Sequence, residues 1–303
     1  MSKDYPDVVK RGMRLHALGM ELMSLLGKRS VHPVGACVGG FFHAPKKEKV
    51  YDLLQRFEQN LILAEELVKW TTTLSFPSYS QQYISVALHH PDEYAMNEGK
   101  IISDHGLSIN ISEFENTFKE FQAPYSTALH CCLGGNTYLV GPLARINLNY
   151  SLLPSEIKKF LMTLPVKFPS KNMFHSIIAR AVEIYYSMLE AVRIMRAYVY
   201  PDSPFIPITP KAGIGYGCTE APRGLLWHCY EFSDEGLVKT SKIVPPTSQN
   251  QGRIEEDLLV TLEQYGLNHS KEELRMQSEM IIRNYDPCIS CSTHFLKIKV
   301  KRE

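Results

Sequence analysis

Apolar residues recur at threes and fours through Val9, Met13, Leu15, Leu18, Leu22, Met23 and Leu26, and Gly27 closes the run. That spacing lays one apolar stripe along a helix and predicts an amphipathic helix over 6–28. After Pro45 the same spacing returns through Val50, Leu53, Leu54, Phe57, Leu61, Ala64, Leu67 and Val68, predicting a long helix over 46–74 with a charged outer face. Segments 154–164 and 172–198 are helical by the same test. The second is long and carries Ile177, Ile178, Ala181, Ile184, Met188, Ala191, Ile194 and Met195. Long helices with one apolar face pack as a bundle.

Between 76 and 150 the texture changes. Tyr79, Tyr83, Ile84, Val86 and Leu88 lead into a stretch rich in Gly, Asn and Ser, read as short strands and loops of a peripheral sheet. Prolines break the chain over 201–210. A glycine-rich turn at Gly213, Gly215 and Gly217 then precedes a strand over 225–232, the turn Asp234-Glu235-Gly236 and a return strand over 237–244, which together predict a hairpin. Helices follow over 254–265 and 271–285, with Ser270 and Glu273 placed as a capping box. The fold class expected is mainly α with α+β character: a bundle of long helices, peripheral small sheets and a hairpin.

Composition narrows the function. The 303 residues can bury a sizeable core, and 44% hydrophobic with 21% charged is ordinary globular usage. Lys plus Arg is 33 against 32 Asp plus Glu, so the net charge of +1 gives no broad field for nucleic acid or an anionic membrane. Charges interrupt every apolar stretch well short of the ~20 residues a membrane-spanning helix needs. The opening Met1-Ser2-Lys3-Asp4-Tyr5-Pro6 has no apolar signal core, which points to the cytoplasm. Seven cysteines is an odd number, and in a reducing compartment clustered cysteines read as metal ligands or catalytic thiols.

Two clusters carry the chemistry. In Asp286-Pro287-Cys288-Ile289-Ser290-Cys291-Ser292-Thr293-His294, cysteines three apart can direct both sulfurs at one metal, and His294 lies three further on. Thiolates suit nickel, iron or zinc; a bare Cys-x-x-Cys also arises by chance or as half a zinc site. In Gly217-Cys218-Thr219-Glu220-Ala221-Pro222-Arg223-Gly224, a permanently charged guanidinium stands between a residue that fixes the backbone and one that frees it. The plainer alternative is a surface ion pair of Arg223 with Glu220. Cys218, Cys229 and the Cys131-Cys132 pair read as packed thiols. His228 reads as a buried, hydrogen-bonded histidine and His32 as structural.

Taken together, Glu220-Ala-Pro-Arg-Gly224 with its hairpin, Val244-Pro-Pro-Thr-Ser-Gln-Asn250, Asp286-Pro-Cys-x-x-Cys-x-x-His294 and Gly27-Lys-Arg-Ser-Val-His-Pro33 with Gly39-Gly40 resemble the large subunit of nickel-iron hydrogenases, in that family's order. The resemblance extends over the whole chain, 1–303, as one large-subunit-like domain, and is nearer to the soluble, cofactor-coupled branches. It implies reversible oxidation of hydrogen at a Ni-Fe centre carrying carbon monoxide and cyanide ligands. Cys288 would be a terminal nickel thiolate and proton acceptor, and Cys291 would bridge nickel and iron. His294 would bind Mg2+ or Fe2+ and end the mature chain, leaving 295–303 as a peptide removed by a maturation endopeptidase. Arg223 would stand over the open coordination position, with Asp286 holding it and the cysteine loop. Pro222 and Leu226 would wall the diatomic ligands, and Thr247 would donate to a cyanide. The partners implied are an iron-sulfur small subunit and an electron-acceptor module.

One departure qualifies this. The family's second cysteine pair, in an Arg-x-Cys-Gly-x-Cys motif, is absent: Cys37 stands alone and Cys131-Cys132 are adjacent. Either a separate polypeptide supplies that N-terminal half, or the chain is a non-catalytic relative that serves as a structural or docking subunit. A zinc-binding protein using Cys288, Cys291 and His294 is the third reading.

Overall fold

The computed structural model describes residues 4–288. In chain order its elements are α1 (Pro6–Gly27), β1 (Ala36–Cys37), β2 (Gly40–Phe41), α2 (Lys47–Thr72), β3 (Ile84–His89), β4 (Lys100–Ser103), β5 (Ser108–Ile109), α3 (Phe114–Thr117), β6 (Phe118–Gln122) and β7 (Leu129–Leu133). There follow β8 (Tyr138–Leu139), α4 (Pro142–Asn149), α5 (Ser155–Leu161), α6 (Ser176–Arg196), β9 (Gly213–Ala221), β10 (Gly224–Phe232), β11 (Val238–Val244), α7 (Pro246–Tyr265) and α8 (Lys271–Asn284). Backbone packing divides the chain into one unit of 1–74 with 180–210 and another of 75–179 with 211–303.

The first unit is the helical one. The α1 and α2 stripes expected from the sequence are buried at Leu15, Leu18, Val50, Leu53, Leu54, Phe57, Ala64 and Val68, and α6 adds Val182, Met188, Val192 and Met195. Arg11 meets Glu66 at 3.0 Å between α1 and α2, and Arg196 Nε meets Glu58 at 2.8 Å between α6 and α2. These pairs are largely exposed, so the apolar stripes carry most of the stability.

The second unit holds a four-stranded sheet of order β5-β4-β3-β8, a two-stranded β6-β7 ribbon and a three-stranded sheet of order β11-β10-β9. They share one core, in which Val86, Leu88, Ile101, Phe114, Phe118, Tyr138, Leu225 and Trp227 are all but inaccessible. β3 is buried along its four central residues, which is why its Ile-Ser-Val-Ala-Leu-His run shows no alternation. Trp227 anchors this core: its ring stacks on Phe114 at 4.8 Å, Phe114 stacks on Phe118 at 4.5 Å, and its Nε1 donates to the Ile111 carbonyl at 2.8 Å.

Three segments differ from expectation. The Gly213, Gly215, Gly217 stretch is a strand, β9, paired along its length with β10. Its glycines fall on alternate positions, with Ile214 and Tyr216 between them and Cys218 and Glu220 continuing that face, so a period of two was present where a turn was expected. The 244–250 segment is the entry of α7, which begins at Pro246 with proline at the first helical position, eight residues before the expected start at Ile254. Residues 142–149, expected as loop, are the helix α4. It is short and buried nearly all round, so no stripe marks it.

The capping box at α8 is formed, with Ser270 N donating to Glu273 Oε2 at 2.9 Å. No helix among the described residues is long and apolar enough to cross a membrane.

Replacing the anchor tests this core. Trp227→Ala empties a fully buried site and should destabilise the protein by about 3–5 kcal/mol, read from the urea midpoint at unchanged slope. A shift under about 1 kcal/mol would show that the aromatic stack is not the anchor.

Candidate functional site

Ala221 pairs with Gly224, so Pro222 and Arg223 form the two-residue tip of the β9–β10 hairpin. Pro222 presets the first turn position. The tip lies close against the 140–141 backbone, and two glycines permit this. A Cβ on Gly224, at φ +135°, would sit 2.6 Å from Val140 Cγ2 and 2.8 Å from the Gly141 nitrogen, and one on Gly141, at φ +113°, would sit 2.8 Å from the Arg223 carbonyl.

Below the tip lies a buried ion pair. Arg145 Nη1 donates to Glu220 Oε2 at 2.9 Å, with side-chain exposures of 2% and 0%. Glu220 Oε1 accepts the Leu88 N–H at 2.8 Å, and Arg145 also donates to the Ala221 carbonyl at 2.7 Å and the Pro222 carbonyl at 3.4 Å. One guanidinium therefore holds three successive residues of the turn and draws them onto β3. Asn149, one turn along α4, donates to the Leu88 carbonyl at 2.9 Å and meets His89 Nδ1 at 2.7 Å. Glu220 thus pairs with Arg145, and the plainer reading of a surface pair between Glu220 and Arg223 gives way to this arrangement.

The first turn of α7 braces the same hairpin. Gln249 Nε2 donates to the carbonyls of Leu225, at 2.6 Å, and Val244, at 3.3 Å, and its Oε1 accepts from Tyr138 Oη at 3.2 Å. Asn250 pairs both backbone groups of Val140, at 2.9 Å and 3.1 Å, as a neighbouring strand would. Thr247 is half-buried in this turn.

Further along α7, Arg253 grips Asp257 through Nε at 3.1 Å and Nη2 at 2.6 Å, and also bonds Gln81 Oε1 at 2.7 Å. Burial raises the Asp257 carboxyl against the opposing pull of Arg253. Asp257 accepts the hydroxyl of Tyr285, whose own ionisation burial pushes far up. Ser176 Oγ donates to the Asn284 carbonyl at 2.8 Å. These buried bonds fix the exit of α8, after which Asp286 takes a positive φ of 49° and the chain turns toward Cys288.

Arg223 and Asp286 meet there. Arg223 Nε donates to the Asp286 carbonyl and lies 3.5 Å from its Oδ2. Both side chains are partly open to solvent, so this pair contributes little by itself. The buried groups on either side set its position. Cys288, two residues on, is half-buried, Leu226 is half-buried and Pro222 is exposed. Cys291, His294 and the 295–303 tail lie outside the described residues.

The other thiols and His228 sit away from this turn or face elsewhere. Cys218 is buried, and desolvation pushes its thiol far up; Cys131 is pushed up to about 11 for the same reason. His228 was expected buried, but lies half-buried on the sheet face opposite Trp227, with Nδ1 3.0 Å from Tyr230 Oη. Arg145, Asn149, Gln249 and Asn250 were not anticipated. The signal for Arg145 was its place inside the apolar run Pro142-Leu-Ala-Arg-Ile146, where a charge must be paired.

Comparison with known proteins gives this arrangement a family. The chain is 28% identical over 302 residues to sulfhydrogenase 1 subunit alpha of Pyrococcus furiosus, spanning 98% of this chain and 70% of that relative. It is 26% identical over 330 residues to the NAD-reducing hydrogenase HoxS subunit beta of Cupriavidus necator, spanning 96% and 66%. Among solved structures, an NAD+-reducing [NiFe]-hydrogenase in the H2-reduced state superposes with a TM-score of 0.83 at 19% identity, covering 97% of this chain and 70% of that one. A [NiFeSe] hydrogenase variant from Desulfovibrio vulgaris Hildenborough superposes at 0.74 with 21% identity, covering 95% and 69%. A family profile, nickel-dependent hydrogenase, matches residues 105–294, from the core sheet through the Arg223 hairpin to the terminal cysteine motif. With well over half its length inside that profile, the chain belongs to the nickel-dependent hydrogenase family.

Proposed function

We propose that this chain is the catalytic large subunit, or the C-terminal part of one, of a cytoplasmic nickel-iron hydrogenase that oxidises hydrogen reversibly and passes the electrons to an iron-sulfur small subunit. The observation that carries this reading is the meeting of Arg223 with Asp286, two residues before Cys288, on a hairpin tip braced by buried groups. The donor set is apt for such a centre: the paired thiolates of Cys288 and Cys291 suit nickel and iron, and the imidazole of His294 suits Fe2+, with Mg2+ there implied by the family resemblance alone. When bound, the centre with its carbon monoxide and cyanide ligands supplies the polarisation of dihydrogen.

The chain's own residues have distinct tasks in this reading. Arg223 keeps a permanent positive charge at a set point, where little reorganisation is needed to stabilise developing negative charge. Asp286 holds the guanidinium from below and so links its orientation to the cysteine loop. Cys288 takes a proton at Sγ. Pro222 and Leu226 bound the space beside the guanidinium, and Thr247 offers a hydroxyl donor from the first turn of α7. The electron-acceptor module and the endopeptidase that removes 295–303 complete the assembly.

The alternative is a non-catalytic relative that docks the other subunits; the absence of an Arg-x-Cys-Gly-x-Cys motif from these 303 residues is compatible with it and with a first cysteine pair supplied elsewhere.

Metal analysis separates the readings. The chain purified with its copurifying partners should contain nickel and iron and, by mass spectrometry, should have lost 295–303. An intact tail without metal supports the docking subunit, and zinc without nickel or iron supports a zinc site. The 303-residue chain by itself should take up no hydrogen; robust uptake would show that its single cysteine pair suffices. In the metal-loaded complex, Arg223→Lys should lower hydrogen oxidation by about 100-fold or more at unchanged nickel content. An unchanged rate would remove Arg223 from the chemistry.

A further inference from the structure

β9 is the edge of its sheet, and it has none of the devices that edge strands ordinarily carry. Among the described residues it pairs only with β10, in unbroken register from Ala221 back to Gly213. Residues 212–219 contain no charged residue and no proline, and 213–217 are exposed. The opposite edge, β11, carries Lys239 and Lys242, and its pairing is interrupted by a bulge between Glu231 and Phe232. Charges, prolines and bulges are what keep an edge from pairing with another chain. In an antiparallel pair, alternate residues turn their backbone groups away from the partner strand. The Glu220 N–H leaves β10 for the Met96 carbonyl at 2.6 Å, so the same parity puts the N–H and C=O of Ile214 and Tyr216 on the open side. Gly213, Gly215 and Gly217 are the residues bonded to β10.

The side chains beside this edge define what fits it. On the sheet face opposite Trp227, Gly217, Gly215 and Gly213 lie next to His228, Tyr230 and Phe232. No atom stands within 4 Å of a Cβ built on any of the three glycines, so they form an open trough one strand wide. The half-buried rings are its wall, spaced 5.7 Å and 6.0 Å apart. A strand added outside β9 would lie two strand spacings, about 10 Å, from β10. A large apolar side chain on it spans the glycines and covers the rings; a small one does not. On the other face Ile214 and Tyr216, 59% and 40% exposed, offer more apolar surface. A second copy of this chain leaves the trough empty: two-fold pairing of β9 with itself sets glycine opposite glycine. We propose that the open edge of β9 takes an extended segment of another polypeptide, with large apolar side chains at alternate positions. This docking goes beyond the hydrogenase reading and does not depend on it.

Amide hydrogen exchange, read residue by residue on the full chain, tests it. In the chain alone Ile214 and Tyr216 should exchange fast and Gly215 and Gly217 slowly. The probe is an octapeptide alternating Phe with Thr, N-methylated at every second residue so that it pairs through one edge only. It should slow Ile214 and Tyr216 by about tenfold or more, and the same peptide with Asp in place of Phe should not. Ile214→Pro removes an outward N–H and no bond to β10, so it should weaken the Phe peptide by about tenfold or more with the thermal midpoint of the chain in place. Gly215→Val, whose Cβ meets open space, fills the trough and should weaken that peptide likewise. The proposal is overturned if the Phe peptide gives no protection, or if the Asp peptide protects as well. It is also overturned if Ile214 and Tyr216 are already slow in the chain alone: protection that rises with chain concentration means a second copy, and protection that does not means another segment of the same chain.

Discussion

The buried pair between Arg145 and Glu220 is the constraint on which the rest of the candidate site depends. An ion pair this deep is a poor source of net stability, because desolvating both charges offsets most of their attraction. It is a strong source of position. Glu220 has one oxygen on Arg145 and the other on the Leu88 amide, while Arg145 also donates to the carbonyls of Ala221 and Pro222, just before Arg223. Any displacement of the hairpin tip leaves a charge unpaired in the core.

Helix α7 extends this control to the second half of the site. Its first turn grips the hairpin through Gln249 and the Val140 backbone through Asn250, and its middle turns grip the exit of α8 through Arg253, Asp257 and Tyr285. The two loops that bring Arg223 and Asp286 together are thus referred to one rigid element. Their own contact is half-exposed and weak. The division of labour is physical: hydrogen-bonded buried polar groups fix geometry, and the groups at the tip stay partly open to solvent.

The helices with one apolar face were legible in the sequence, because α1, α2 and α8 each bury one stripe and expose the rest. The elements that resisted reading bury polar side chains. α4 hides Arg145 and Asn149 in the core, and the first turn of α7 hides Ser248, Gln249 and Asn250, so a binary pattern takes both for loop. Their partners lie up to 111 residues away, at Glu220, Val140 and Tyr138, beyond any local window. β9 was hidden by glycines that usually mark turns. At the site, Arg223 and Asp286 stood out as motifs, yet what holds them in place did not, since it is built from long-range contacts.

The most direct measurement is amide hydrogen exchange in Arg145→Met. Exchange at Leu88, Glu220 and Gly224 should accelerate far more than at Leu54 and Val68 of the helical unit, because an unpaired buried Glu220 carboxylate costs about 3–5 kcal/mol and is relieved by local opening of the hairpin. Unchanged protection at Leu88 and Glu220 would contradict it, showing that the hairpin tip is held without the buried pair.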